Sequence, residues 1–177
     1  MKRLSIVILG ILLACSAAPA EEGHGPAPST DPRFEFLKSL EGVWTGPPMQ
    51  EGHPPARFEY RITAGGHAVE EREFAGTPME MVTMYTMQGG DLVATHYCAI
   101  GNQPVAKAAK LTDNALSFDC AGVPGNAASH DDEHVHAWKM RLGKDGKLHY
   151  TANIVKAGET TEAPDFKLTR TTKTASR

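Results

Sequence analysis

Hydrophobic and polar residues alternate along most of the chain, which is the pattern of strands that bury one face. The clearest case is residues 57–63, where Phe58, Tyr60 and Ile62 share one face and the positions between them are charged. Glycine, proline or asparagine residues separate this stretch from its neighbours. Further stretches with strand character are residues 67–74, 79–88, 92–100, 105–111, 115–121, 133–142, 148–154 and 165–172.

The number and spacing of these stretches predict an all-β protein. Turn signals recur about every 8–12 residues, which is typical of an up-and-down barrel or a sandwich. No stretch offers the long crossover helix that parallel strands need. We therefore expect a single antiparallel up-and-down β-barrel of about nine or ten strands. It would span residues 32–172, followed by a disordered tail at residues 173–177.

A helical period precedes the first strand. Asp31 and Pro32 have the residue types of a helix N-cap and a first helical position. Phe34, Leu37 and Leu40 then fall on one helical face. This pattern predicts a short N-terminal helix that plugs one end of the barrel.

Residues 1–20 have the organisation of a secretory signal peptide. A short basic start is followed by the apolar run 4–14 and by a small-residue cleavage signal that ends at Ala20. The polar residues 21–31 would then form a flexible tether. An alternative treats the same segment as a lipobox, in which Cys15 is lipidated and becomes the mature N-terminus. Both interpretations predict an exported protein, either periplasmic or secreted, or lipid-anchored in the bacterial envelope.

The charge balance adds one exclusion. The formal net charge is −3, and removal of Lys2 and Arg3 with the leader would make the mature chain more acidic. No basic stripe remains that could follow a phosphate backbone, so a nucleic-acid partner is not expected. Contact with a membrane is expected only through a lipid anchor at Cys15.

Cys98 and Cys120 are the two cysteines that follow the predicted leader. They lie on neighbouring predicted strands, and an oxidising compartment would allow a disulfide between them. Their spacing fits neither a Cys-x-x-Cys redox pair nor a zinc finger. The alternative is that both are small buried hydrophobic residues.

His134 and His136 are the most informative candidates for chemistry. They lie two residues apart on a predicted strand, so their side chains share a face with Trp138, Met140 and Leu142. Histidines inside a barrel can hold a divalent metal, meet a haem or bind the polar end of a ligand. The alternative is that His134 lies solvated at the end of its strand.

His96 lies on another predicted strand and shares a face with Leu92 and Cys98. If that face points inward, His96 could meet His134 or His136 across the lumen. The commoner arrangement is a buried histidine whose hydrogen bonds are satisfied by a neighbour.

The most acidic predicted strand contains Glu71 and Glu73, which share a face with Val69. A carboxylate inside a barrel would point to function, because an unpaired buried charge is costly. The favoured interpretation is nevertheless an exposed strand, whose carboxylates form surface ion pairs with Arg57 and Arg61.

Gly42 and Trp44 follow the predicted helix, and Arg170 lies on the last predicted strand. This combination resembles the lipocalin (calycin) signature, in which an arginine of the last strand packs over the tryptophan and closes the barrel. The resemblance implies that Arg170 covers Trp44 in a cation–π contact. Small exported bacterial lipocalin-like domains of unassigned function are similar over roughly residues 33–172. The runs that carry this similarity are residues 66–71, 76–81, 95–98 and 101–104.

Gly42-x-Trp44-x-Gly46 is also distantly similar to the start of nitrobindin-like haem barrels. Residues 47–49 replace the glycine-rich continuation of that family. The haem-ligating histidine of the family is not matched to a specific residue here. Haem binding is therefore kept as an alternative and not as the leading hypothesis.

Three functions are compatible with this sequence. The leading hypothesis is a non-enzymatic exported barrel that binds a small, mostly apolar molecule. The second is a haem or divalent-metal site built on His134 and His136, and the third is a structural module filled by its own side chains. No nucleophile-elbow, P-loop or dinucleotide motif is present, which favours a non-enzymatic role. The predicted ligand-binding residues are His134, His136, His96, Tyr60, Trp138, Met140, Phe118 and Tyr150.

Overall fold

The computed structural model describes residues 25–49 and 51–171. The predicted signal peptide, the alternative lipid anchor at Cys15, the first residues of the predicted tether and the predicted C-terminal tail lie outside the described residues. No helix within the described ranges is long and apolar enough to cross a membrane.

One short helix, a 3₁₀ turn at Ala64–Gly66 and eleven antiparallel strands make up the described chain. The helix is α1 (Pro32–Ser39). The strands are β1 (Gly42–Gly46), β2 (Ala56–Thr63), β3 (Ala68–Glu73), β4 (Met81–Gln88), β5 (Asp91–Tyr97), β6 (Val105–Ala108), β7 (Ala115–Cys120), β8 (His134–Leu142), β9 (Leu148–Lys156), β10 (Glu159–Glu162) and β11 (Phe166–Thr171).

The sheet closes on itself to form a barrel. One edge of β9 pairs with β8, and its other edge pairs with β11, which in turn pairs with β1. Strands β1 to β9 together with β11 therefore form a closed ten-stranded antiparallel barrel with up-and-down order. The predicted fold class is confirmed. β10 continues along the edge of β9 beyond β11, where it pairs with residues 153–156.

Alternating strand direction places the connections at two opposite ends of the barrel. One end, called the closed end below, carries α1 and the connections between β2 and β3, β4 and β5, β6 and β7, and β8 and β9. The opposite end, called the mouth below, carries the other connections of the meander. These are residues 47–55, 74–80, 98–104 and 121–133, together with the turn at residues 157–158 between β9 and β10.

Apolar side chains of α1 fill the closed end. Phe34, Leu37 and Leu40 are fully buried and belong to the same hydrophobic core as Trp44 of β1. The indole Nε1 of Trp44 donates a hydrogen bond to the carbonyl oxygen of Leu40 at 2.8 Å. Asp31 caps the N-terminus of the helix, as its residue type predicts. A helix of this length is marginal alone, so this packing is what stabilises it.

Arg170 of β11 lies over Trp44, with its guanidinium carbon 4.4 Å from the ring centroid. Its Nη1 and Nη2 atoms donate to the carbonyl oxygens of Glu41 and Ser39, both at 2.6 Å. Gly42 has a φ of +130°, and a Cβ there would lie 3.6 Å from Arg170 Nη1. The arginine therefore satisfies carbonyls at the C-terminal end of the helix and covers the tryptophan at the same time.

The largest differences from the predicted strands are at three places. β5 ends at Tyr97 and β6 at Ala108, earlier than the predicted ends at residues 100 and 111. β10 was not predicted, because all four of its residues are exposed and it contains no apolar position. Its pairing with β9 comes from the hairpin turn and leaves no hydrophobic pattern in the sequence.

Candidate functional site

β3 carries two glutamates on its inner face. Glu71 is fully buried and Glu73 is 4% exposed. The prediction that this strand exposes its carboxylates to solvent is therefore wrong for both residues. Their neighbour Glu70 points outward, where it forms the surface ion pairs with Arg61 and Arg72. The predicted surface ion pairs are therefore formed by the outward-facing side of the strand and not by its inner face.

Two tyrosines donate hydrogen bonds to Glu71. The hydroxyl of Tyr60, on the neighbouring strand β2, lies 2.8 Å from Oε1, and the hydroxyl of Tyr85 contacts Oε2. Trp138 Nε1 in turn donates to the Tyr85 hydroxyl at 3.2 Å. The buried carboxylate thus sits at the centre of a hydrogen-bonded group contributed by four strands.

Glu73 has weaker contacts. Tyr150 donates from its hydroxyl to Glu73 Oε1 at 3.1 Å. His96 Nδ1 lies 3.7 Å from the same oxygen and is 2.8 Å from the hydroxyl of Thr83. The other ring nitrogen of His96, Nε2, is buried without a hydrogen-bond partner in the described part of the chain. The eight residues Glu71, Glu73, Tyr60, Tyr85, Tyr150, Trp138, His96 and Thr83 are called the carboxylate network below.

Burial controls the protonation of this network. It raises the pKa of Glu71 to about 7, against the lowering effect of the two tyrosine hydrogen bonds. Burial, followed by the charge of Glu71, holds the pKa of Glu73 well above its usual range. Burial also lowers the pKa of His96 to about 4, so His96 is neutral at pH 7. Among the described residues, no Lys or Arg forms an ion pair with either carboxylate.

The structure brings four predicted ligand-binding residues together around these carboxylates. Tyr60, Tyr150, Trp138 and His96 all belong to the carboxylate network. Phe118 stacks on Trp138 with ring centroids 5.1 Å apart. The remaining apolar candidate, Met140, is fully buried in the core.

His134 and His136 lie apart from this network, at the mouth. His134 is fully buried, so the alternative of a solvated histidine is wrong. An irregularity in register between Val135 and Ala137 interrupts the predicted alternation of β8. Val135 consequently packs against the hydrophobic core, and the single inward face predicted for His134 to Leu142 is not continuous.

The two histidines face a cysteine. His134 Nε2 lies 3.2 Å from His136 Nδ1, and the donor atoms of His134, His136 and Cys120 all lie within 4.8 Å of one another. Burial, together with the charges of His134 and His130, lowers the pKa of His136. Burial raises the pKa of the Cys120 thiol. Within the described residues, these three side chains form the group whose donor atoms lie close enough together to bind one metal ion.

Cys98 and Cys120 are both free thiols, so the candidate disulfide is not formed. Cys98 follows β5 and Cys120 ends β7, and β6 lies between these strands. Two inter-strand spacings amount to about 9.5 Å, which exceeds the Cα separation that a disulfide spans. The Sγ atom of Cys98 instead lies 3.7 Å from Met81 Sδ.

An apolar cleft of about 250 Å³ opens at the mouth. Its wall includes Phe74, which packs on Phe58 and Phe166 with ring centroids 5.5 Å and 5.7 Å away. Phe74 has a φ of +53°, a left-handed conformation that is rare for a bulky residue. The other lining residues are Met49, His53, Pro54, Pro55, Thr77, Pro78 and Met79.

The large hydrophobic side chains that the described chain exposes are all at the mouth, at loop positions or at the adjoining strand ends. They are Met49, Met79, Tyr97, Ile100, Val105 and Val123. Exposed apolar side chains concentrated at one end of the barrel are compatible with a binding surface there.

No protein-family model matches this chain, and no curated protein matches it.

Proposed function

We propose that this protein is an exported, non-enzymatic barrel that binds a small, mostly apolar molecule carrying a protonated amine. The ligand enters at the mouth and presents its amine to Glu73 and Glu71. The observation that carries the proposal is the pair of buried carboxylates that no Lys or Arg neutralises in the described chain. The lipocalin-like signature of Gly42, Trp44 and Arg170 supports the same class of function.

The cost of burying these carboxylates is the first argument. A buried acidic group is disfavoured unless it is paired, and proteins seldom bury Glu without a partner. Tyrosine hydroxyls donate hydrogen bonds to Glu71 and Glu73 but bring no positive charge. In the absence of a cation, protonation removes the charge instead. A ligand ammonium group would provide the missing charge and the hydrogen-bond donors together.

The second argument is a chain of aromatic contacts that leads from the apolar cleft to Glu73. The apolar cleft ends at Phe74, whose ring packs against Phe58. Phe58 packs against Tyr150 with ring centroids 5.1 Å apart, and the Tyr150 hydroxyl binds Glu73. Phe74 therefore separates the cleft from the carboxylate network. Its strained backbone, a cost of about 1–3 kcal/mol, is the kind of feature that surrounds binding sites.

The packing of the lumen limits the size of the ligand. Residues below the carboxylate network, towards the closed end, are fully buried and in contact with one another, among them Leu92, Leu116 and Leu168. The proposed ligand would therefore bind on the mouth side of this packed region and not along the full length of the barrel. The same dense packing favours the second candidate, a structural barrel filled by its own side chains.

Three matched probes separate these candidates. Phenethylamine, phenethyl alcohol and phenylpropionate share an aromatic ring and differ in the charge of the polar end. We expect phenethylamine to raise the melting temperature of the purified protein at pH 8 in a concentration-dependent way, and the other two to have little effect. A calorimetric titration then gives the affinity.

Glu73→Gln should weaken phenethylamine binding about tenfold or more, because the amide can still accept a hydrogen bond but no longer carries the negative charge that pairs with the ammonium group. The matched control is Glu70→Gln, which changes the outward-facing residue of the same strand and should leave the affinity unchanged. If none of the three probes shifts the melting temperature, the self-filled barrel is supported. Equal binding of all three would place the recognition in the apolar cleft alone.

A further inference from the structure

We propose that Cys120, His134 and His136 bind a first-row transition-metal ion of the zinc or copper class. Their donor atoms lie within 4.8 Å of one another at the mouth of the barrel. This group, called the thiol–imidazole site below, is independent of the amine-binding function proposed above.

The barrel topology brings these residues together. Cys120 is the last residue of β7 and His134 the first residue of β8, and the long loop 121–133 joins the two strands. The ladder between β7 and β8 runs as far as Asp119 and Ala137, so Cys120 and His136 occupy the next opposed positions. The register irregularity leaves His136 without a paired residue on β9. A bulge of this kind can re-aim a side chain.

A backbone carbonyl orients the ring of His134. His134 Nδ1 lies 2.7 Å from the carbonyl oxygen of Asp132, which can only accept a hydrogen bond. Nδ1 therefore carries the proton, and the lone pair is on Nε2, which faces His136. Metal-binding histidines are commonly held in this way by a hydrogen bond at the second ring nitrogen.

The loop that provides this carbonyl is itself fixed. The Asp132 carboxylate accepts hydrogen bonds from the backbone N–H groups of Ala128 and Ser129, at 2.6 Å and 3.2 Å. These contacts close a tight turn immediately before His134. The orientation of His134 is therefore set before any ion arrives, which lowers the cost of binding.

The observed distances suit a tetrahedral ion. Ligands at zinc distances of about 2.0–2.3 Å lie about 3.3–3.6 Å from one another in a tetrahedron. The separation of His134 Nε2 from His136 Nδ1 is 3.2 Å. A side-chain rotation that moves the Cys120 sulfur by about one ångström would bring its distances to the two nitrogens into the range expected for ligands of one ion. Two nitrogens side by side on one ion differ from haem ligation, where protein ligands approach the iron along the axis of the macrocycle.

The donor set selects the metal. Thiolate and imidazole groups favour zinc or copper, whereas magnesium and calcium require oxygen ligands. Binding converts the Cys120 thiol to a thiolate and releases one proton to solvent, and the ring proton of His136 moves from Nδ1 to Nε2 so that Nδ1 can bind the ion. Three protein ligands leave a fourth position open. The exposed His130, whose ring centroid is 5.5 Å from His134 and 5.6 Å from His136, can take that position.

The test uses the purified chain, treated with a chelator and kept reduced. Equilibrium dialysis against zinc, followed by elemental analysis, should give one ion per chain. Cobalt, used as an optical probe of the same site, should show an intense thiolate-to-metal charge-transfer band and the visible bands of a tetrahedral ion.

Cys120→Ser removes the thiolate with little change in shape. It should abolish the charge-transfer band and weaken zinc binding at least tenfold, and His136→Gln should weaken zinc binding similarly. The matched control is Cys98→Ser, because Cys98 is the other free thiol at the mouth. This control should leave both the band and the affinity unchanged.

A cobalt complex without a thiolate band would overturn the proposal, as would less than half an ion bound per chain. Equal losses in Cys98→Ser and Cys120→Ser would also overturn it. Circular dichroism of each variant shows whether the barrel is intact. Binding that depends on His136 but not on Cys120 would reduce the group to a pair of histidines joined by their observed hydrogen bond.

Discussion

The two ends of the barrel are built from different chemistry. At the closed end, α1, Trp44 and Arg170 form a sealed group in which apolar rings are buried and the carbonyls after the helix accept hydrogen bonds. At the mouth, methionines and other large apolar side chains are exposed, and the two cysteines are free thiols. The comparison separates an end that stabilises the fold from the end at which we propose that the ligand binds.

The carboxylate network lies between these two regions. Glu71 is fully buried and bound by two tyrosines, whereas Glu73, at the end of β3 nearer the mouth, has longer contacts. Of the two buried carboxylates, the one nearer the mouth is thus the less tightly held. If this division is correct, substitutions at the closed end should change stability, and substitutions nearer the mouth should change binding or its pH dependence.

Trp44→Ala should have the largest effect on stability. It removes a fully packed ring and the hydrogen bond to Leu40, so we expect a loss of about 3–5 kcal/mol in the free energy of unfolding. Urea denaturation measures this loss, and Trp44→Phe, which keeps most of the volume, should lose less. A change below about 1 kcal/mol for Trp44→Ala would contradict the assignment of stability to the closed end.

Glu71→Gln should change how stability depends on pH. The pKa of Glu71 in the folded protein is about 7, above the usual value of 4.5, so the protonated form stabilises the fold. That contribution is fully present below pH 4.5 and is lost as the pH rises through 7. Glutamine does not titrate. Relative to wild type, the variant should therefore gain about 3 kcal/mol between pH 4.5 and pH 8.

Urea denaturation at a series of pH values checks this difference. Glu70→Gln is the control on the same strand, because ion pairs with Arg72 and Arg61 hold the pKa of Glu70 below its usual range. The ionised form of Glu70 therefore stabilises the fold at pH values above the usual carboxyl pKa, and this stabilisation is lost only under more acidic conditions. Its stability difference from wild type should therefore stay constant from pH 6 to pH 8. A constant difference for Glu71→Gln as well would show that Glu71 is ionised throughout that range.

Arg170→Ala should have the smallest of these effects. The substitution removes the cation over Trp44 and two donors to backbone carbonyls, and we expect a loss of about 1–2 kcal/mol. Arg57 is the matched arginine near the mouth, where it pairs with Glu59 on the surface. Arg57→Ala should change the free energy of unfolding by about 0.5 kcal/mol or less. If thermal or urea unfolding showed that Arg170→Ala and Arg57→Ala lose the same free energy of unfolding, the proposed contrast between the two ends would be wrong.

The fold was predictable because its signal is repeated. The alternation of apolar and polar residues seen in β2 is repeated in most strands, and turns separate these strands at regular spacing. A barrel is one of the few folds that bury one face of so many strands. Strand ends were less predictable, since residues 98–100 continue the alternation of β5 but lie in a turn. β10 has no apolar residue and could not be found from a hydrophobic pattern.

The site was only partly predictable. Tyr60, Tyr150, Trp138 and His96 were identified by their strand faces. Glu71 and Glu73 were assigned to solvent, because charged side chains are seldom buried. The sequence did contain a signal, because Glu71 and Glu73 share a strand face with Val69, which is buried. In β3 the strand face, and not the type of side chain, decides which residues are buried.

The thiol–imidazole site shows the limit of period-two reasoning. Cys120 and His136 come together because β7 and β8 are paired, but neither the long loop between them nor the irregularity at His136 has a residue signature. A single irregular position changes the face of every residue beyond it. For this reason the sequence suggested His134 and His136 as partners but did not associate Cys120 with them.

If the proposed function is correct, the raised pKa of Glu73 links ligand binding to the protonation of that carboxyl group. A cationic ligand that pairs with the ionised form of Glu73 competes with a proton for the same site. Affinity for such a ligand would then follow the acidity of the surroundings, with capture at higher pH and release where the medium is acidic.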